Sequence, residues 1–159
     1  EHKLLYAEKI DAQGYEEIPH EAGDVGAELF PTLRSGHPEP DITLLSYGGM
    51  LPIAEKAARI LEETEELSVE IIAPSLLAPM PRFSLLKALL HRPRILVVEE
   101  AHHQFGFSAE VLAMLAENGY KGNVARLGTL PVPIASARSM ESAQLPDENA
   151  IVSAALNIL

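Results

Sequence analysis

The pattern of apolar and polar positions changes near residue 41. Residues 1–40 carry scattered glycines and prolines without a sustained apolar period, which predicts an irregular lead-in or linker. Residues 42–47 then form a short apolar run that stops at a Gly-Gly pair, and the apolar positions from Met50 to Leu61 recur with helical spacing. This order of strand, tight turn and helix predicts a β-α unit.

The same alternation continues to the end of the chain. We predict strands at 69–73, 94–98 and 124–127, and helices at 83–90, 108–118 and 146–159. The run 94–98 is apolar on both faces, as in a central strand that helices cover on either side. The pattern therefore predicts an α/β fold with three layers, α/β/α, around a mainly parallel, doubly wound sheet of about five strands, with the domain at 41–159.

Two of the helices have informative ends. At 108–118, Ser108 is a candidate cap, Glu110 lies in the electropositive first turn, and Phe107 can pack onto Leu112. The last helix is apolar on most sides, with one row formed by Ile151, Ala154, Ala155 and Ile158 and a second row formed by Val152, Leu156 and Leu159. Such a helix is either buried within its own domain or in contact with another subunit.

Composition excludes several classes of function. A chain of 159 residues is the size of one domain, and its 12 basic and 23 acidic residues give a net charge of −11. That charge argues against nucleic acid and against an anionic membrane surface as partners. The chain has no cysteine, which excludes disulfides, thiolate catalysis and zinc-thiolate or iron–sulfur sites, and no apolar stretch is long enough to span a membrane.

Few residues suggest chemistry of their own. The pair Gly48-Gly49 precedes a helix, where backbone amides can hold an anion, but it lacks the full glycine spacing of a nucleotide-binding loop, and a plain tight turn is the better explanation. The adjacent His102 and His103 do not have the spacing that brings two ligands onto one metal ion. No nucleophile elbow is present. None of these patterns specifically indicates a catalytic, cofactor-binding or metal-ligating residue.

Glu99 and Glu100 follow the most buried of the predicted strands. In open α/β sheets the carboxyl ends of the strands carry the ligand contacts, which draws attention to the loop 99–107. Either the two glutamates have a functional role there, or one holds loop amides and the other is solvated. The residues alone leave both interpretations open.

Five motifs, taken in order, resemble the C-terminal domain of the transketolase superfamily. They are Glu1-His2-Lys3-Leu4-Leu5-Tyr6, Asp41 to Gly48, Val98-Glu99-Glu100-Ala101 followed by Gly106 to Glu110, Pro131-Val132-Pro133, and Leu145-Pro146. The first motif is similar to the beta subunit, or beta half, of the thiamine-diphosphate-dependent decarboxylating component of 2-oxo acid dehydrogenase complexes. The start at Glu1, close to apolar residues, is what is expected of a piece of a longer protein.

The resemblance implies a domain that does not carry the chemistry. In the family, thiamine diphosphate and Mg²⁺ lie between two preceding domains, which supply a Gly-Asp-Gly motif with a downstream Asn and a Glu that activates the aminopyrimidine. Gly23-Asp24-Val25 only partly matches that motif because it lacks the second glycine. The implied parent decarboxylates pyruvate or a branched-chain 2-oxo acid and passes the acyl group to a lipoyl arm, in the bacterial cytoplasm or the mitochondrial matrix.

The family uses this domain for subunit assembly, as in a homodimer, and for docking to the subunit-binding domain of the acyltransferase core. We therefore expect an apolar surface with these interface candidates: Glu100, His102, His103, Phe105, Phe107, Val152, Leu156 and Leu159. An alternative is a free-standing flavodoxin-like domain that binds a small ligand at the Gly48-Gly49 turn, which predicts a polar pocket and no such surface. A hydrolase would need a Ser or Asp within hydrogen-bond distance of His103.

The first testable prediction concerns the cofactor. Isothermal titration of this chain with thiamine diphosphate and Mg²⁺ is expected to give no heat of binding, because the motifs that hold the cofactor in the family are absent from it. A buffer titration supplies the control. A saturable signal with a stoichiometry near one would contradict the assignment of this chain to the non-catalytic domain.

Overall fold

The computed structural model of the chain describes residues 14–133 and 135–159. The Glu1 to Tyr6 motif lies outside the described residues. The strands are β1 (Tyr15–Ile18), β2 (Thr32–Gly36), β3 (Ile42–Ser46), β4 (Val69–Pro74), β5 (Arg94–His102) and β6 (Asn123–Thr129). The helices are α1 (Leu51–Glu65), α2 (Arg82–Leu89), α3 (Phe107–Glu117), α4 (Arg138–Ser142) and α5 (Glu148–Leu156), with a 3-10 turn at Gly48–Met50 before α1.

The strands form one six-stranded sheet in the order β1-β2-β4-β3-β5-β6. The four strands β4, β3, β5 and β6 are parallel, while β2 is antiparallel to both of its neighbours. The sequence-based prediction of a mainly parallel α/β sheet is therefore confirmed. Each parallel connection passes through a helix, as parallel pairing requires.

Alternation of side chains along the strands builds two cores. Ile42 and Leu44 of β3 face the side covered by α1 and α5, whereas Leu45 faces the side covered by α2 and α3. Leu96 and Val97 of β5 divide between the two sides in the same way. Because both faces are covered, β3 and β5 have continuous apolar runs, and the predicted three-layer α/β/α arrangement is confirmed.

The prediction of an irregular lead-in is wrong for the described residues up to 40. Strands β1 and β2 form an antiparallel pair there, and β2 continues the sheet alongside β4. Gly36 permits this close approach, because a Cβ at its position would lie 2.2 Å from the carbonyl oxygen of Val69. Both strands have mostly exposed or half-exposed side chains, so they lack the apolar run that identifies a buried strand in sequence.

One strand end and one helix differ from prediction, while the start of the last helix agrees with it. Strand β5 extends through Glu99 and Glu100 to His102, with an irregularity in its pairing to β6 between Val98 and His102, so the two glutamates lie within the strand. Helix α4 was not predicted. Helix α5 begins after Asp147, whose Oδ1 accepts a hydrogen bond of 2.7 Å from the Ala150 amide, close to the predicted start.

Helix α5 is buried along one row only. Ile151 and Ala155 are fully buried against α1 and the sheet, and Val152 is half-buried beside them. Leu156 and the terminal Leu159 are exposed. Burial within the domain thus accounts for the first row. Within the described ranges, no helix has both the length and the hydropathy needed to cross a membrane.

A buried ion pair lies near the end of the sheet opposite the helix amino termini. The Glu70 side chain, 3% exposed, accepts hydrogen bonds from Arg92 Nη2 at 2.6 Å and Thr43 Oγ1 at 2.9 Å. Burying a carboxylate is costly unless a cation and hydrogen-bond donors compensate for the lost water. Arg92 also donates from Nη1 to the Pro38 carbonyl, which ties the β2–β3 connection to this pair.

We expect Arg92→Ala to lower the free energy of unfolding by about 3 kcal/mol, because it leaves the Glu70 carboxylate buried without a cation. Arg34→Ala is the matched control: its partner Glu16 is 67% exposed, so we expect a loss of less than about 1 kcal/mol. Urea unfolding of the two variants measures both changes. Equal losses of unfolding free energy in the two variants would show that burial does not make the Arg92–Glu70 pair stronger than the exposed Arg34–Glu16 pair.

Candidate functional site

Most of the exposed apolar surface lies at one end of the sheet. We call this end the carboxyl edge: it is formed by the carboxyl ends of the parallel strands together with the segments 19–31, 75–83, 103–106, 130–133 and 135–147 that connect there. Eleven large apolar side chains are exposed in the described part of the chain, and nine are at this edge. The nine are Val25, Leu29, Phe30, Phe83, Phe105, Leu130, Val132, Met140 and Leu145.

The first group of these residues lies on the β1–β2 connection and α2. We call Val25, Leu29, Phe30 and Phe83 the Phe30 patch; each of the four is at least half exposed. Gly23 makes their arrangement possible, since a Cβ there would lie 2.8 Å from the Phe83 ring. The patch is thus held by the packing of the connection directly on the start of α2.

Asp24 anchors this connection. Its carboxylate is almost fully buried and accepts hydrogen bonds of 2.9 Å from the backbone amides of Phe83 and Ser84, at the amino end of α2. Burial alone would raise the pKa of Asp24, but hydrogen bonds from Ser84, Phe83 and Glu21 outweigh it and hold the pKa below its ordinary value. The side chain therefore acts as a helix cap supplied from a distant segment.

Asp24 is also the central residue of the partial Gly-Asp-Gly match, so its bonding tests whether cofactor binding is feasible. Both of its oxygens are used by α2 amides. In addition, the described residues contain no group of three or more His, Asp or Glu side chains that could hold a metal ion. The residues described here do not fit a diphosphate–metal site, and we derive no chemical step through one.

The second group surrounds the end of β5 and its connection to α3. We call residues 99–107, from Glu99 in β5 to the first residue of α3, the docking loop, after the docking role expected from the sequence. Glu99 is completely buried, and its Oε1 accepts hydrogen bonds from the backbone N–H and the Oγ–H of Ser108. Tyr47 donates its hydroxyl to Glu99 Oε2 at 3.1 Å. Burial, and then the charge and hydrogen bond of Glu99, raise the pKa of Tyr47 well above its ordinary value, so its hydroxyl stays a donor.

This arrangement corrects the predicted cap of α3. The N-cap residue is Gly106, and Ser108 lies inside the helix with its hydroxyl bonded to Glu99. Of the glutamate pair, Glu99 accepts a hydrogen bond from the backbone amide of Ser108 in the first turn of α3. Glu110 does lie in the first turn of α3, as predicted.

The interface candidates of the docking loop have different environments. Glu100 and His102 line a groove of about 220 Å³, whose other walls are Thr129, Leu130, Val132, Glu141, Gln144 and Leu145. His103 is tied to the Thr129 carbonyl through its backbone N–H and its Nδ1, both at 3.0 Å. Phe105 is completely exposed and has a φ of 61°. Phe107 is half-buried, with its ring edge-on to that of Tyr47 at 5.3 Å.

The remaining candidates do not join this group. Val152 packs against the core, while Leu156 and Leu159 lie at the other end of the sheet, where the Leu159 and Ile158 carbonyls accept hydrogen bonds from Arg94 and Asn123. The structure thus brings Glu100 and His102 together in one groove, places Phe105 a few residues further along the same loop, and separates all three from Leu156 and Leu159. The Nδ1 of His103 bonds a backbone carbonyl, so this atom does not have the Ser or Asp partner that a hydrolase would require.

Sequence reasoning missed the Phe30 patch and the groove wall formed by Leu130, Val132, Glu141, Gln144 and Leu145. Most of these residues lie in or beside segments that contain several glycines and prolines, and the others lie in or just after the unpredicted helix α4, so no periodicity marks a face. The available signal was the apolar character of most of these residues. Large apolar side chains in turn-like segments are not predicted to be part of the core, so they can be expected on the surface. The Gly48-Gly49 turn lines neither the 220 Å³ groove nor the other described groove, at Tyr15, Arg34 and His37.

Comparison with known proteins gives consistent similarities. The family model described as transketolase, C-terminal domain matches residues 33–151. The mitochondrial pyruvate dehydrogenase E1 component subunit beta of Pisum sativum is 31% identical over 118 residues, covering 72% of this chain and 33% of that protein. The subunit of the same name from Staphylococcus aureus (strain Mu50 / ATCC 700699) is 29% identical over 146 residues, covering 91% and 44%. The chain thus spans less than half the length of these relatives.

Solved structures agree on the fold. A split gene transketolase, described as an inactive beta4 tetramer, superposes with a TM-score of 0.65 at 22% identity, covering 75% of this chain and 39% of that one. A 2-oxoglutarate:ferredoxin oxidoreductase from Magnetococcus marinus superposes with a TM-score of 0.55 at 20% identity, covering 79% and 19%. At this identity the likeness concerns the architecture alone.

Asp24→Asn is expected to lower the free energy of unfolding by about 1 kcal/mol at neutral pH, because an amide offers one acceptor oxygen where the carboxylate offers two. The pKa of Asp24 is lower in the folded chain, so its contribution is complete above the unfolded pKa of about 3.9 and is lost as the pH falls through the folded value. The difference between wild type and variant should therefore be constant from pH 5 to 8 and shrink below about pH 4. Denaturation at several pH values measures it, and a difference that grows toward low pH would contradict this role.

Proposed function

Because the chain belongs to the transketolase C-terminal domain family, we propose that it is the non-catalytic C-terminal domain of a thiamine-diphosphate-dependent 2-oxo acid dehydrogenase. The similarity to beta subunits of pyruvate dehydrogenase E1 supports pyruvate as the substrate of the parent, with a branched-chain 2-oxo acid as the alternative. The role of this domain is to assemble the enzyme. Decarboxylation belongs to other domains of the parent.

One observation carries the assembly role: nine of the eleven exposed large apolar side chains in the described residues are at the carboxyl edge. Exposed apolar side chains concentrated at one end of a domain are typical of a surface that another polypeptide covers. This apolar surface lies at the same end of the sheet as the amino ends of α2 and α3, where Asp24 and Glu99 already accept hydrogen bonds from the amides of Phe83, Ser84 and Ser108. At these two helix ends the edge therefore offers apolar contact more readily than an anion site.

Phe105 is the strongest single feature of this surface. A phenylalanine that is fully exposed loses the benefit of burial, about 2 kcal/mol, and its positive φ adds a cost of about 1 kcal/mol. Such strain concentrates where function requires a particular geometry. We infer that Phe105 is an anchor residue that a neighbouring subunit or domain covers.

The partners we propose are the other domains and subunits of the parent enzyme, with a homodimer as the basic unit. A second role is docking to the subunit-binding domain of the acyltransferase core. Under this proposal the compartment is that of the parent: the bacterial cytoplasm, or the mitochondrial matrix in a eukaryote. Thiamine diphosphate and Mg²⁺ are cofactors of the parent, held outside the residues described here.

The test compares two ends of the domain in the complete beta subunit. Phe105→Gly is expected to weaken association with the partner subunit by about tenfold or more, as for a central anchor residue. It should leave the free energy of unfolding unchanged or raise it by about 1 kcal/mol, because glycine has no Cβ penalty at this φ. Sedimentation velocity gives the association, and urea unfolding gives the stability.

Leu156→Ser serves as the matched variant on α5. If the carboxyl edge is the interface, this change leaves association within about twofold of wild type, because it removes apolar surface at the opposite end of the sheet. If Leu156→Ser weakens association and Phe105→Gly does not, the interface lies on α5 and not at the carboxyl edge. Wild-type association in both variants would refute the proposal that this domain assembles the enzyme through either surface.

A further inference from the structure

Phe105 has a positive φ and an exposed ring, so other residues of the docking loop must hold its backbone in this conformation. Its neighbours on both sides are fixed: His103 is held to the Thr129 carbonyl, and Gly106 begins α3 as its N-cap. Phe105 itself contributes nothing to the core, being completely exposed. The contacts of His103 and Gly106, on either side of Phe105, therefore set its position. The strength of these contacts determines whether the aromatic ring adopts a single conformation.

Glu99 is the central group of these contacts. It is completely buried, and none of the ion pairs found among the described residues includes it. Its charge is instead compensated by three donors: the N–H and Oγ–H of Ser108 and the hydroxyl of Tyr47. Ser108 is in the first turn of α3, where the electropositive helix end also favours an anion. The carboxylate thus links β5, the segment after β3 and α3.

Two glycines show how tightly the loop is packed around this carboxylate. A Cβ on Gly106 would lie 2.4 Å from Glu99 Oε1 and 2.6 Å from the His102 carbonyl oxygen. A Cβ on Gly128 would lie 2.7 Å from the Ala101 carbonyl oxygen and 3.3 Å from Glu99 Cγ. Both sites exclude any larger residue without displacement of backbone. The loop backbone is therefore in direct contact with the Glu99 side chain, so a change in that side chain is transmitted to residues 102–106.

We propose that Glu99 is a positioning residue whose buried carboxylate fixes the docking loop so that Phe105 is presented in a single conformation for a partner. The functional part of this inference rests on the proposed assembly role. The positioning part stands on the hydrogen bonds and packing around Glu99 alone. The two parts have separate readouts.

Limited proteolysis with chymotrypsin measures the positioning. Phe105 is an exposed cleavage site, and cleavage of a folded chain reports how often the loop opens. In the complete beta subunit, Glu99→Ala is expected to raise the rate of cleavage after Phe105 by about tenfold relative to cleavage after Phe83, because it removes the acceptor for three donors. Phe83 serves as the internal reference, since it is exposed at the same edge and Asp24 accepts a hydrogen bond from its backbone N–H.

Two further variants separate positioning from a general loss of stability. Glu99→Gln is expected to stay within about twofold of wild type, because its amide oxygen still accepts from Ser108 and its amide nitrogen can donate to the Tyr47 oxygen. Glu117→Ala, at the exposed end of α3, removes a carboxylate from the same helix and should leave cleavage after Phe105 unchanged. Cleavage ratios unchanged in Glu99→Ala, or raised equally in Glu117→Ala, would overturn the inference.

If Glu99→Ala does not fold, Tyr47→Phe tests whether the hydrogen bonds to Glu99 position the loop. It removes one donor to Glu99 and keeps the ring that packs on Phe107. We expect cleavage after Phe105 to rise by about threefold, and an unchanged rate would then overturn the inference. If Glu99→Ala loosens the loop but the beta subunit still associates with its partner as wild type does, positioning stands and the role of the loop in assembly is refuted.

Discussion

The parallel alignment of β4, β3, β5 and β6 is the constraint from which the rest of the structure follows. It places the carboxyl ends of these strands, and the amino ends of the helices after them, at the same edge. Each helix amino end leaves backbone N–H groups without partners in the helix. Those groups must be satisfied before the edge can be covered by anything apolar.

Carboxylates accept hydrogen bonds from some of these groups. Asp24 accepts from the start of α2, Glu99 from the start of α3, and Asp147, the N-cap residue of α5, from the first turn of its own helix. Asp24 and Glu99 are buried, and they tie the β1–β2 connection and the docking loop to the starts of the helices. With these amides used internally, nine large apolar side chains remain exposed at the edge, which suits contact with another polypeptide.

The two ends of the sheet therefore differ in character. At the end opposite the carboxyl edge, Asp41 accepts hydrogen bonds from the Ser68 amide and hydroxyl, which hold its pKa below the ordinary value. Glu70 and Arg92 form their buried pair near that end, and Arg94 bonds to the carbonyls of Asp41 and Leu159. These side chains are paired within the domain. This asymmetry favours the carboxyl edge, over the last helix, as the proposed assembly surface.

Sequence by itself determined the α/β class, the four parallel strands and the helices α1, α2, α3 and α5, because buried strands and amphipathic helices leave periodic apolar patterns in the chain. It also identified the docking loop from the glutamates of β5. Only the tertiary structure decided that β1 and β2 extend the sheet. Mostly polar strands at the edge of a sheet have no apolar pattern in the sequence and can be identified only from the strand with which they pair. Only the fold could show that Glu99 caps α3, that Phe105 is exposed while Phe107 is half-buried, and that the Phe30 patch lies at the same edge, because each depends on residues far apart in sequence meeting at one end of a parallel sheet.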